Sequence, residues 1–194
     1  VKIALVQTVH FKGRETFMTT RRTFAHGALS LALAVLVLTT MAPASRAQDL
    51  AAPAGEVVLT IEGKIGRQNA PGQADFDLDM LRAMPKVTFR TTSPWTEGAA
   101  EFEGVLLADV FKAVAASGTS IKATALNDYI ADVDLATVVS AGAILAYRIN
   151  GADLSVRDKG PLWIMFPFDD KPDLKSELIY SQSVWQLRKM TVLD

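Results

Sequence analysis

Residues 144–154 read Ile144-Leu145-Ala146-Tyr147-Arg148-Ile149-Asn150-Gly151-Ala152-Asp153-Leu154. Ala143 to Ile149 is apolar and strand-like, and Asn150-Gly151 supplies the two residues that tolerate positive φ in a tight hairpin turn. A strand that turns back on itself implies an antiparallel sheet, and the surrounding chain extends it. Downstream, Leu162–Phe168 is a second apolar strand ending at Asp169-Asp170, and Trp185–Leu193 alternates as a closing strand. Upstream, Val57–Ile61 closes at Gly63, and Val87–Thr91 and Ile121–Leu126 add two more strands, whereas residues 67–74 read as loop. Helical spacing is short wherever it occurs. Asp77 caps a helix running to about Met84, before Pro85. Leu106, Leu107, Val110, Phe111 and Val114 form an apolar stripe that Gly118 should end, and a further short helix follows Asp134. Strands outnumber helices and their connections are unequal, so the predicted class is α+β with a β-rich core.

Composition narrows the chemistry before any fold is considered. The chain of 194 residues has no cysteine, and its two histidines are His10 and His26. Downstream of them there is no thiolate or imidazole, which excludes a Cys/His zinc site, a cysteine nucleophile and a Ser-His-Asp triad there. Six of the 20 basic and one of the 21 acidic residues lie within residues 1–47, so the rest carries a net charge of about −6. That sign argues against nucleic acid as a partner.

Residues 18–47 have the pattern of an export signal. Arg21-Arg22 precede an apolar run from about Ala28 to Leu38, and Ser45-Arg46-Ala47 offers a cleavage site before Gln48. The run is shorter than the roughly 20 residues of a membrane span. Residues 1–17 read as an over-extended gene start, residues 18–47 as signal peptide and residues 48–194 as a single domain of the periplasm. Thr20-Arg21-Arg22-Thr23-Phe24 also has the adjacent arginines of a twin-arginine signal.

Four segments in order resemble the molybdopterin-binding domain of the sulfite oxidase family. They are Phe102-Glu103-Gly104-Val105-Leu106-Leu107-Ala108-Asp109-Val110, the Ile144–Leu154 hairpin, Lys159-Gly160-Pro161-Leu162-Trp163 running on to Pro167, and the closing Trp185–Val192 segment. The resemblance implies a sulfite oxidase-like fold and a pterin pocket. It also implies a cysteine ligand for molybdenum, at about the position where this chain has Thr91. A hydroxyl is a poor replacement for a soft thiolate. The family's arginine in the Gly-x-Pro-x-Arg strand is here Trp163, which removes an anion-binding group. Molybdenum is therefore not expected.

The small periplasmic proteins of this fold that bind free pterins are similar in the Ser93-Pro94-Trp95-Thr96 turn, the Asn127-Asp128-Tyr129 turn and the Lys159–Asp170 segment. This resemblance implies a non-catalytic pterin-binding protein, with no covalently bound cofactor. It would report ligand occupancy to the periplasmic domain of a membrane receptor controlling cyclic-di-GMP. The alternative is a molybdopterin-dependent oxidoreductase subunit with a non-cysteine metal ligand. For the binding reading, Trp95 would stack on the ring. Asp128 would accept the paired N–H groups of the amino-oxo edge, with Asn127 on the adjoining carbonyl and Tyr129 over the ring. Asp169 or Asp170 could take the edge-reading role instead. Trp163 is either a further ring at the ligand or a core residue.

Overall fold

A two-residue turn at Asn150-Gly151 sets the register of the central hairpin. Both residues have positive φ, 49° and 79°. Arg148 lies opposite Asp153 and Ile149 opposite Ala152, so the turn has the geometry the Asn-Gly pair favours. The computed structural model describes residues 50–194. The export signal and the gene-start assignment lie outside those residues.

Two five-stranded arrangements form the domain. The first contains β1 (Val57–Gly63), β2 (Gln73–Asp77), β5 (Ser120–Ala125), β6 (Ile130–Asp134) and β10 (Leu187–Leu193), in the order β2-β1-β10-β5-β6. All its pairings are antiparallel except β1 with β10, which run parallel. The second contains β3 (Lys86–Thr92), β4 (Ala99–Leu106), β7 (Ile144–Ile149) and β8 (Ala152–Asp153), with β9 (Trp163–Met165) beside β8 on the same edge of β7. One continuous apolar core spans both sheets. It takes Leu59, Ile61, Phe76, Ile121, Met190 and Val192 from the first, and Phe102, Val105, Leu145 and Trp163 from the second. Along β1 the alternation is direct: Leu59 and Ile61 are buried, while Val58, Thr60 and Glu62 face the other way.

Among the described residues, four short α-helices join the strands: α1 (Leu78–Arg82), α2 (Leu107–Ala113), α3 (Leu135–Ala141) and α4 (Glu177–Gln182). Asp77 caps α1 as expected, accepting from Met80 N at 2.8 Å while its other oxygen holds Ala54 N and Gly55 N. Asp134 caps α3 through Thr137 N at 2.6 Å, and Gly142 ends it in the left-handed region. The β-rich α+β class is as the sequence predicts.

Several boundaries differ from expectation. Gln73 and Ala74, expected in the 67–74 loop, begin a strand that runs to Asp77, because the segment buries Ala74 and Phe76 against β1. β6 was not foreseen. The apolar run 162–168 pairs only over Trp163–Met165, since Pro167 has no N–H to offer a ladder, although Phe166 and Phe168 stay fully buried. Gly118 does not stop α2: the chain turns at Ala115, with φ of 50°. Gly118 instead lets the backbone pass close to β10, where a Cβ would lie 2.0 Å from Leu193 O.

Candidate functional site

The end of β3 delivers Trp95 to a cavity of about 320 Å³. Pro94 sits in the Ser93–Thr96 turn, closed by Thr96 N donating to Ser93 O at 3.3 Å and by paired Ser93 and Thr96 hydroxyls at 3.0 Å. The half-buried Trp95 packs edge-on against three rings. Its centroid lies 5.6 Å from Trp185, 5.9 Å from Tyr180 and 5.9 Å from Trp163. Trp163 is 1% exposed, donates its indole N–H to Ser183 O at 3.1 Å, and meets Phe102 at 5.5 Å on its other side. Aromatic packing thus runs from the core to the cavity wall.

The opposite wall comes from the turn between β5 and β6. Asn127 Oδ1 accepts from Tyr129 N at 3.2 Å, and Asp128 takes a left-handed conformation that Asx residues tolerate. Tyr129 reaches across to α4, donating its hydroxyl to Ser181 O at 3.0 Å. The helix itself is started by Ser176, whose Oγ accepts from Ile179 N, and it is tied to β6 by Gln182 Nε2 on Asp132 O. Glu177 and Tyr180 of α4 line the cavity together with Ser181, Ser183, Val184 and Trp185.

Of the residues singled out from sequence, Trp95, Asn127 and Tyr129 are brought together here. The other three are not. Asp128 does not line the cavity: its carboxylate is 82% exposed and bound to Arg188 at 2.8 Å, an ion pair that faces solvent. Trp163 supports the wall from behind, as a core residue. Asp169 serves as a clamp, accepting from Thr92 N and Thr92 Oγ1 at 2.6 Å each and from Lys175 Nζ at 2.7 Å. The lysine hydrogen bond and then the Thr92 hydroxyl and amide hold its pKa down at about 2. Asp170 is exposed and does not line the cavity. Trp185, expected in the closing strand, instead lies half-buried in the wall before β10 begins, and Glu177 and Tyr180 were missed altogether. A signal for them was present: Ser176 followed by Glu177 and apolar Ile179 is a helix start.

Thr91 is fully buried and its hydroxyl is occupied in both directions. It accepts from Asp169 N at 3.0 Å and donates to Thr92 O at 3.2 Å. With no thiol anywhere in the chain and no cluster of three metal-ligating side chains among the described residues, the donor set here does not fit a thiolate-held metal. Thr91 does not itself line the aromatic cavity.

Residues 54–168 match the family described as oxidoreductase molybdopterin binding domain. Among solved structures, the chain is similar to the sulfane dehydrogenase SoxCD from Paracoccus pantotrophus, with a TM-score of 0.56 and 17% identity. That likeness covers 70% of this chain and 38% of the SoxCD chain, and at this identity it speaks for the fold alone. Comparison with curated proteins finds no match. The family match ends at residue 168, so the wall formed by α4 and Trp185 lies beyond it.

Proposed function

The chain belongs to the oxidoreductase molybdopterin-binding domain family, with a sulfite oxidase-like fold, and from that premise we propose that it is a non-catalytic periplasmic protein that binds a free pterin. The observation that carries this reading is Thr91. At the position where the resemblance expects the sulfur ligand, a buried hydroxyl is committed to two internal hydrogen bonds. Trp163, in the place of the family's anion-binding arginine, is packed into the core. What remains in front of Trp163 is an aromatic cavity of a size that suits a bicyclic ring.

On this reading the protein reports its occupancy to a partner. The resemblance to the small pterin-binding proteins supports the periplasmic domain of a membrane receptor controlling cyclic-di-GMP as the partner. The competing reading, an oxidoreductase subunit with a non-cysteine ligand, is favoured by family membership. With Thr91 Oγ1 as that ligand, a fully buried hydroxyl would have to become accessible and give up the proton it donates to Thr92 O.

Protein purified from its native periplasm should release a fluorescent pterin and hold no stoichiometric molybdenum. About one molybdenum per chain by metal analysis would overturn the proposal.

A further inference from the structure

We infer that Glu177 is the specificity-determining residue of the aromatic cavity. The ligand it selects is a planar heteroaromatic with two adjacent N–H donors on one edge, the arrangement of a 2-amino-4-oxo pteridine. This rests on the pterin reading above and deepens it.

Four observations lead to Glu177. It is the sole charged residue lining the cavity, whose other lining residues are aromatic, aliphatic or uncharged polar. Of the acids that the sequence offered for the same task, Asp128 is engaged by Arg188, Asp169 by Lys175 and Thr92, and Asp170 does not line the cavity. Among the described residues no ion pair or hydrogen bond engages the Glu177 carboxylate. Glu177 also lies beyond the family-matched residues 54–168.

The chemistry follows from the shape of a carboxylate. Its two oxygens accept two parallel N–H bonds, so it recognises a ring nitrogen N–H beside an exocyclic amine and disfavours a carbonyl in either place. Asn127 complements it. The amide oxygen of Asn127 is taken by Tyr129 N, which leaves its NH₂ as a donor for a carbonyl on the ligand. Trp95, Tyr129, Tyr180 and Trp185 supply apolar and π surface that does not distinguish one flat ring from another.

Two probes of nearly equal size separate these contributions. Pterin (2-amino-4-oxopteridine) offers the donor pair; lumazine (2,4-dioxopteridine) puts a carbonyl where the amine was. The full exported chain, titrated at neutral pH by calorimetry, should bind pterin roughly ten- to a hundred-fold more tightly than lumazine. Glu177→Gln, at an exposed position, should lose that preference by weakening pterin while sparing lumazine, with an unchanged circular dichroism spectrum. Equal affinity of the unaltered protein for the two probes would overturn the inference alone, as would a Glu177→Gln protein that keeps the preference. Failure of the unaltered protein to bind pterin at all would overturn the proposed function, and this inference with it.

Discussion

Replacing Thr91 with valine removes one oxygen from a fully buried position and almost nothing else. Its consequence can be worked from two bonds. The Asp169 amide loses its acceptor at 3.0 Å, and the Thr92 carbonyl loses a donor at 3.2 Å. A partly buried group left without a partner costs about 1–3 kcal/mol. Valine does not compensate, because the shape is kept while the hydroxyl is lost. With a urea dependence of roughly 2 kcal/mol per molar, the unfolding midpoint should fall by about 0.5–1.5 M. Hydrogen exchange gives a local reading: the Asp169 amide should lose protection, while amides of the β1–β10 pairing change only with global stability. The reasoning is refuted if the midpoint stays put and the Asp169 amide stays protected. The hydroxyl would then not be a structural rivet, and the argument against its use as a ligand would fail with it.

Truncation of Trp95 to alanine removes three edge-on aromatic contacts, each worth about 0.5–1.5 kcal/mol beyond area. It should weaken pterin and lumazine alike in calorimetry, leaving their ratio unchanged; a shift in that ratio would mean the indole reads the ligand's edge. Asp169 has its pKa lowered from the usual 3.8 to about 2, by Lys175 first and then Thr92. Because the folded value is the lower one, its contribution is fully present above pH 4 and disappears as the pH falls towards 2. Asp169→Asn should therefore flatten the acid limb of the stability curve between those values, and an unchanged limb in acid titration would contradict the clamp. Thr91→Cys should give no sulfite oxidation, because Trp163 still occupies the place of the anion-binding group; substantial turnover in a steady-state sulfite assay would show that the site has been placed wrongly.

The fold was legible where local chemistry decides. Asn150-Gly151 fixed a hairpin, Asp77 and Asp134 fixed helix starts, and apolar alternation fixed β1 and β10. Legibility failed where tertiary pairing overrides composition. Gln73-Ala74 looks like loop until β1 lies beside it, and Gly118 looks like a helix stop although a passing strand is what requires it. The site divided along the same line. Trp95, Asn127 and Tyr129 sit on turns whose residues announce themselves. Asp128 could not be assigned from sequence, because Arg188, which engages it, arrives from 60 positions away. Glu177 was hidden for the converse reason: nothing local marks a carboxylate as unpartnered.

The parallel pairing of β1 with β10 also has a consequence in time. β10 is an inner strand, flanked by β1 and β5, yet Glu62 meets Thr191 across 129 positions of sequence. While the chain is being synthesised, β1 and β5 therefore exist with no neighbour between them, each exposing an edge that another chain could capture. The first sheet can close only when the last strand inserts into its middle, and this is the slow kind of folding, with loop closure preceding reward. Losing a few residues from β10 would leave two half-sheets rather than a trimmed edge, and Trp185, immediately before it, would lose its anchor. Cavity formation in this sense waits on β10, and the wall that carries Trp185 is complete only once that strand is in place.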